Sequence, residues 1–366
     1  MTEVKPFPQP EDYIEESDLN LGIRPLLLLL LFGVLVGVFL LSIAVGSVNI
    51  PLKQIITVLL GGEAERASWT NIIIKSRLPK AVTATLSGAA LGVSGLMMQT
   101  FFRNPLAGPF VLGISSGASL GVALVVLAAG TVGGSLLAGF GLAGDLLLVA
   151  AAATGAAATI IIVLLVARHI QSSMTLLILG LMMGYFVTAI VSLLLYFAIP
   201  ERIQSYISWT FGSFGGVTWD QMPLLAGSIV IGLVMALLLT KSLNALLLGE
   251  GYARSLGLNV SQARIMIITA TAILAGSVTA FCGPIGFIGI AVPHLCRSIL
   301  NTSDHRVLIP GTILMGAIVA LIAALIATVP GNNLILPLSA ITAVIGAPVV
   351  MFVIIRQRNL QKAFVS

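Results

Sequence analysis

Long apolar runs interrupted by short polar islands make up most of this chain. Residues 307–355 hold no Asp, Glu, Lys or Arg, and 104–167 hold only Asp145. A helix needs about 20 apolar residues to cross a bilayer core, so each stretch must contain at least two crossings. Divided at Gly/Pro punctuation, the runs predict ten spans near 25–46, 81–101, 109–129, 145–167, 175–198, 222–241, 264–282, 286–300, 307–328 and 337–355. The run 51–61 is apolar on one face and too short to cross, which predicts an interfacial helix. Cys282 to Gly289 reads as a tight re-entrant turn, tolerable only where protein buries it. The predicted fold class is all-α, a polytopic membrane protein.

Composition strengthens this reading. The 366 residues are 58% hydrophobic and 8% charged, against roughly 25% charged in soluble domains, which excludes a water-soluble enzyme. Thirty-eight glycines suit helices whose backbones approach closely. Residues 1–23 form an acidic stretch expected to be a mobile cytoplasmic tail, 24–356 the transmembrane domain, and 357–366 a second cytoplasmic tail. The net charge of +5 forms no stripe and gives no sign of nucleic-acid binding. Cys282 and Cys296, both in apolar sequence, read as packing residues. With the N-terminus placed in the cytoplasm, 12 of the 18 Lys and Arg fall inside, so both termini are expected there.

Four polar islands carry the chemical signal. Arg77-Leu-Pro-Lys80 adds to an unusual cationic cluster on the expected outer side. The two cations read either as anchors of a helix end that snorkel to the interface or, as the first choice, as a dock for an acidic partner. In Gln99 to Gly113, Asn-Pro and Gly-Pro pairs force a non-helical turn between two spans. Leu248 to Leu258 predicts a short helix along the membrane, bounded by glycines and presenting Tyr252, Ala253 and Leu256 to a cytoplasmic protein; a solvated connector fits the composition equally well. Gly283 to Arg297 contains His294 and Cys296, which do not share a helix face and make poor joint metal ligands. His294 reads as a structural hydrogen-bonding group. The chain shows no phosphate-binding loop, no paired intramembrane carboxylates of a proton relay, and no catalytic or metal constellation. Uphill transport would therefore draw its energy from another polypeptide.

These islands, in this order, resemble the FecCD-type permeases, the membrane subunits of ATP-binding-cassette (ABC) importers for ferric siderophores, haem and cobalamin. The resemblance runs from about 25 to 355 through Arg77-Leu-Pro-Lys80, Arg103 to Pro109, Ser208 to Ser213, Leu248-Gly-Glu250 with Ala253 to Gly257, Gly283 to Gly289, Pro293-His294 with Arg297, Asp304-His-Arg306 and Gly346-Ala-Pro348. It implies the type II importer fold in a prokaryotic cell membrane. It also implies a second permease subunit (a homodimer first), two ATPase subunits that bind ATP and Mg, a periplasmic or lipid-anchored binding protein, and no cofactor in this chain. By residue, the resemblance assigns ATPase coupling to Gly249, Glu250, Ala253, Arg254, Leu256 and Gly257, and a cytoplasmic gate to Asn104, Leu106, Ser172, Ser173 and Met174. It assigns cavity lining to Met182, Met183 and Tyr185, and binding-protein docking to Arg77 and Lys80.

The chain departs from the pattern at Ala324 and Thr328, where relatives often carry Asp and Arg, at Ile335-Leu-Pro-Leu-Ser339, and at Lys80, which replaces Arg. Docking is then expected to lean on the 75–80 cluster or on Asn332 and Asn333. The resulting expectation is a transport subunit, not an enzyme, that carries an iron chelate. A ferric siderophore ranks first, with haem and cobalamin behind it. The alternatives are an ion-gradient secondary transporter and, last, a membrane scaffold.

Overall fold

A computed structural model of the chain describes residues 10–46, 48, 50–128, 142–167, 170, 172–328 and 336–363. Within them the hydropathy pattern resolves into α1 (Pro10–Ala44), α2 (Leu52–Leu59), α3 (Ala67–Ile72), α4 (Leu78–Phe102), α5 (Ile114–Ala123), α6 (Leu142–Ala167), α7 (Ser173–Tyr196) and α8 (Pro200–Thr210). There follow α9 (Met222–Leu238), α10 (Thr240–Leu247), α11 (Glu250–Ser255), α12 (Val260–Cys282), α13 (Ile288–Leu300), α14 (His305–Ala327) and α15 (Leu338–Ala363). Six helical stretches are long and apolar enough to cross a membrane, α9 and α10 make one further unit bent by 53°, and three shorter apolar helices accompany them. These ten units fall on the ten expected apolar runs. The protein is an all-helical, multi-span membrane protein.

Several boundaries move. Residues 10–23, expected as a loose tail, are helical and continue into the first span. The expected C-terminal tail is likewise helical as far as Ala363. The second span does not begin at Ala81. The helical stretch runs unbroken from Ala67 to Phe102 through a π-turn at Ile73–Arg77. Pro79 sits one residue into α4, where its missing N–H costs little. The run expected at the interface forms α2, which turns Gln54, Ile55 and Val58 inward.

Burial ranks the helices in a way that hydropathy does not. Over its most apolar window α4 is 83% buried, although its mean hydropathy is only 1.5, while α1, at 3.1, is 11% buried. In lipid the most apolar helices face outward, and small residues mark the ones packed inside. At Gly88 an added Cβ would lie 2.1 Å from the Gly316 carbonyl oxygen of α14, so the two backbones touch. Gly117 and Gly155 join α5 to α6 in the same way. The hydroxyl of Ser94 in α4 donates to its own helix at Leu91, which hides its polarity.

The turn between α12 and α13 is held by protein. Ser213 N–H donates to the Cys282 carbonyl at 2.8 Å. Gly283 and Phe287 both adopt positive φ, at 75° and 64°, and a Cβ on Gly283 would lie 2.6 Å from the Trp209 carbonyl oxygen.

Candidate coupling and gate region

At one end of the bundle, Gly249 at φ 105° and Gly257 at φ 82° interrupt the helical path on both sides of α11. Such backbone angles favour glycine, so two glycines eight residues apart define a short isolated helix. Its faces differ sharply. Tyr252 and Leu256 are 54% and 60% exposed, and Ala253 is fully buried. Ala253 was expected to face a partner; instead it turns inward and is fully buried against the bundle, where a small side chain keeps α11 close. Glu250 meets Arg264 of α12 at 3.3 Å, while its 4.0 Å pairing with the exposed Arg254 is the weaker contact.

The turn after α4 is preorganised. Arg103 takes the left-handed conformation, Asn104 N–H donates to the Gln99 carbonyl, and Asn104 Oδ1 accepts from Leu106 N–H at 2.9 Å. Leu106 stays 44% exposed. Across the same end, Ser172 caps α7 by accepting from Thr175 N–H at 3.3 Å, and Met174 is 65% exposed. Ser173 begins α7. The expected pair Met182 and Met183 is split by the helical turn. Met183 lies on the side that packs against Gly113, while Met182, Tyr185 and Phe186 are exposed.

A polar layer behind these turns joins the helices. Arg297 donates to Gln99 Oε1 at 2.7 Å, and Gln99 Nε2 donates to the Ile290 carbonyl at 3.1 Å. His294 Nε2–H donates to the Pro105 carbonyl at 2.7 Å, which fits the structural reading of that residue. Asn244 of α10 accepts from both the N–H and Nδ1 of His305 and donates to Asp304 Oδ1, while His305 Nε2 pairs with Thr100 Oγ1 at 2.8 Å. Burial raises the Asp304 carboxyl, but the Arg306 N–H, the Asn244 amide and the charges of Arg306 and His305 outweigh it. The group stays below its ordinary value. Asn244 and Arg264 were not singled out from the sequence. Their signal was a polar side chain inside an apolar run. Among the described residues, no group of three or more His, Cys, Asp or Glu comes together to hold a metal ion.

The opposite end corrects one expectation. Arg77 is only 8% exposed. Its guanidinium donates to the Ile43 carbonyl at 2.7 Å, to that of Ala44 at 2.9 Å and to that of Val48. A cation there satisfies the orphan carbonyls at the end of α1 and complements its dipole, so it presents no free charge outward. Lys80 donates to Thr328 Oγ1. Lys75 stays exposed. Asn332 and Asn333 lie outside the described residues. Arg77→Ala should therefore lower stability by about 2–3 kcal/mol, from lost charged hydrogen bonds. A thermal unfolding scan in detergent that shows no shift would contradict the capping role.

Taken together, the geometry is that of a membrane transport permease: tightly crossing small-residue helices, non-helical turns at one end, and a short outlying helix paired with α12 through Glu250 and Arg264. The FecCD transport family matches residues 33–356, and the chain belongs to that family. The chain is 37% identical over 281 residues to the vitamin B12 import system permease protein BtuC of Salmonella paratyphi A, covering 76% of this chain and 82% of the relative. The Citrobacter koseri BtuC protein is 37% identical over 284 residues, covering 77% and 82%. A metal-chelate type ABC transporter solved in an inward-facing conformation superposes with a TM-score of 0.76 at 28% identity, covering 90% of this chain and 99% of that one.

Proposed function

We propose that this chain is the permease subunit of an ATP-driven importer that carries a metal chelate, with a ferric siderophore as the cargo. The single observation that carries this reading is α11: an isolated helix with two large apolar side chains facing out and its small residue facing in, on a chain that shows no nucleotide-binding loop. In this reading the α11 end faces the cytoplasm, where both termini lie, and seats in a separate ATPase that binds ATP and Mg. Gly249 and Gly257 frame the coupling helix. Tyr252, Leu256 and Arg254 contact the ATPase, Glu250 turns to Arg264 of α12, and Ala253 is the inward anchor.

Asn104, Leu106, Ser172, Ser173 and Met174 form the inner gate. The exposed face of α7, with Met182, Tyr185 and Phe186, lines a cavity closed by a second copy of the chain. Its polarisable, uncharged surface suits a bulky chelate that must be released. A periplasmic or lipid-anchored binding protein docks at the opposite end, using Lys75 and Lys80 in preference to the buried Arg77.

Cobalamin is the second reading, favoured by the BtuC relatives. The test is reconstitution of the permease, ATPase and binding protein in vesicles, with radio-iron ferric hydroxamate and radio-cobalt cyanocobalamin supplied side by side. ATP-dependent accumulation of the iron chelate is expected. Preferential uptake of cyanocobalamin would establish the second reading. Uptake that ignores ATP and collapses with an ionophore would overturn both in favour of a secondary transporter.

A further inference from the structure

The geometry points to Arg264 as the positioning residue that carries movement of the coupling helix to the gate. It lies near the start of α12 and is buried, with its side chain 6% exposed. Three separate elements meet on its guanidinium. Nη2 meets Glu250 of α11 at 3.3 Å. Nη1 donates to the carbonyl of Ile170, three residues before α7 begins. The guanidinium carbon lies 5.8 Å from the ring centroid of Phe101, at the end of α4 just before Asn104. Gly249, at the head of α11, also lies beside the turn after α4, since a Cβ added there would sit 3.4 Å from Arg103 Nη1. The short helix thus lies beside the turn after α4, and Glu250 and Arg264 link it to Ile170 before α7.

A planar fork with fixed donor directions holds two partners in one geometry, which a lysine ammonium does not. If α11 is displaced, the Glu250 carboxylate draws the guanidinium with it, and the Ile170 carbonyl and the start of α7 follow. An apolar side chain at this position would let α11 move without transmitting direction.

This inference rests on the reading of α11 as the ATPase-coupling segment, and the experiment separates the two. Met174→Cys is introduced into the assembled permease–ATPase complex, and its maleimide labelling is compared with and without nucleotide. The wild-type background is expected to show a nucleotide-dependent change in labelling. Arg264→Gln and, separately, Glu250→Gln are expected to keep the ATPase bound while that change is lost. Arg264→Lys should restore it only in part.

Full nucleotide-dependent labelling in both Gln variants would overturn the role of Arg264 and leave the coupling reading intact. Should Arg264→Gln fail to fold, Glu250→Gln decides alone, since it leaves the α12 packing untouched. A permease that binds the ATPase equally well after Tyr252→Asp with Leu256→Asp would overturn the coupling reading itself.

Discussion

Tyr252→Asp combined with Leu256→Asp is expected to abolish stable association with the ATPase while leaving the permease folded. Both side chains are more than half exposed in the chain, so their replacement disturbs little internal packing. At a docked interface each would bury a large apolar group, and residues at the centre of such contacts contribute about 2 kcal/mol or more apiece. Two of them correspond to a loss of roughly 10³-fold in affinity. Co-purification and a titrated binding assay measure this directly. The thermal midpoint of the permease alone should stay within a few degrees of wild type. An unchanged affinity would remove the coupling assignment, and a large fall in the midpoint would show that these residues support the fold.

The second large effect concerns the bundle. Gly88→Leu is expected to cost about 3–5 kcal/mol or to prevent folding, toward the upper end for overpacked positions. A Cβ at this site would lie 2.1 Å from the Gly316 carbonyl oxygen and 2.6 Å from the Ala320 Cβ, and a backbone oxygen cannot move aside as a side-chain tip does. Gly37 is the control, because a Cβ there meets nothing within 4 Å. Gly37→Leu should be neutral. Yield of monodisperse protein in size-exclusion chromatography and the thermal midpoint separate the two variants. Equal behaviour would show that α4 and α14 can part without penalty.

Much of the scaffold was legible because a bilayer imposes a length. The charge-free stretch 307–355 had to hold two crossings, and α14 and α15 occupy it. Between Gly249 and Gly257 the composition left a short helix and a solvated connector equally open, and the structure places α11 there. Legibility stopped where orientation began. Arg77 looked like an outward charge because a string of letters does not show that the end of α1 passes beside it with unpaired carbonyls. Met182 and Met183 looked alike, yet a step of one residue turns a helix by about 100° and leaves them on different faces.

Apolar periodicity usually tells a soluble helix which side to bury. Here both lipid and protein interior are apolar, so that contrast disappears. The membrane class, the crossing segments and the family motifs could thus be read from residue order, since each depends on local composition and spacing. That the modestly apolar α4 lies at the centre, that Ala253 faces inward, and that Arg264 joins α11 to Ile170 before α7 and to Phe101 at the end of α4 depended on the folded arrangement. Those outcomes follow from how closely backbones pass and which buried polar groups find one another, and both are properties of pairs of helices far apart in the chain.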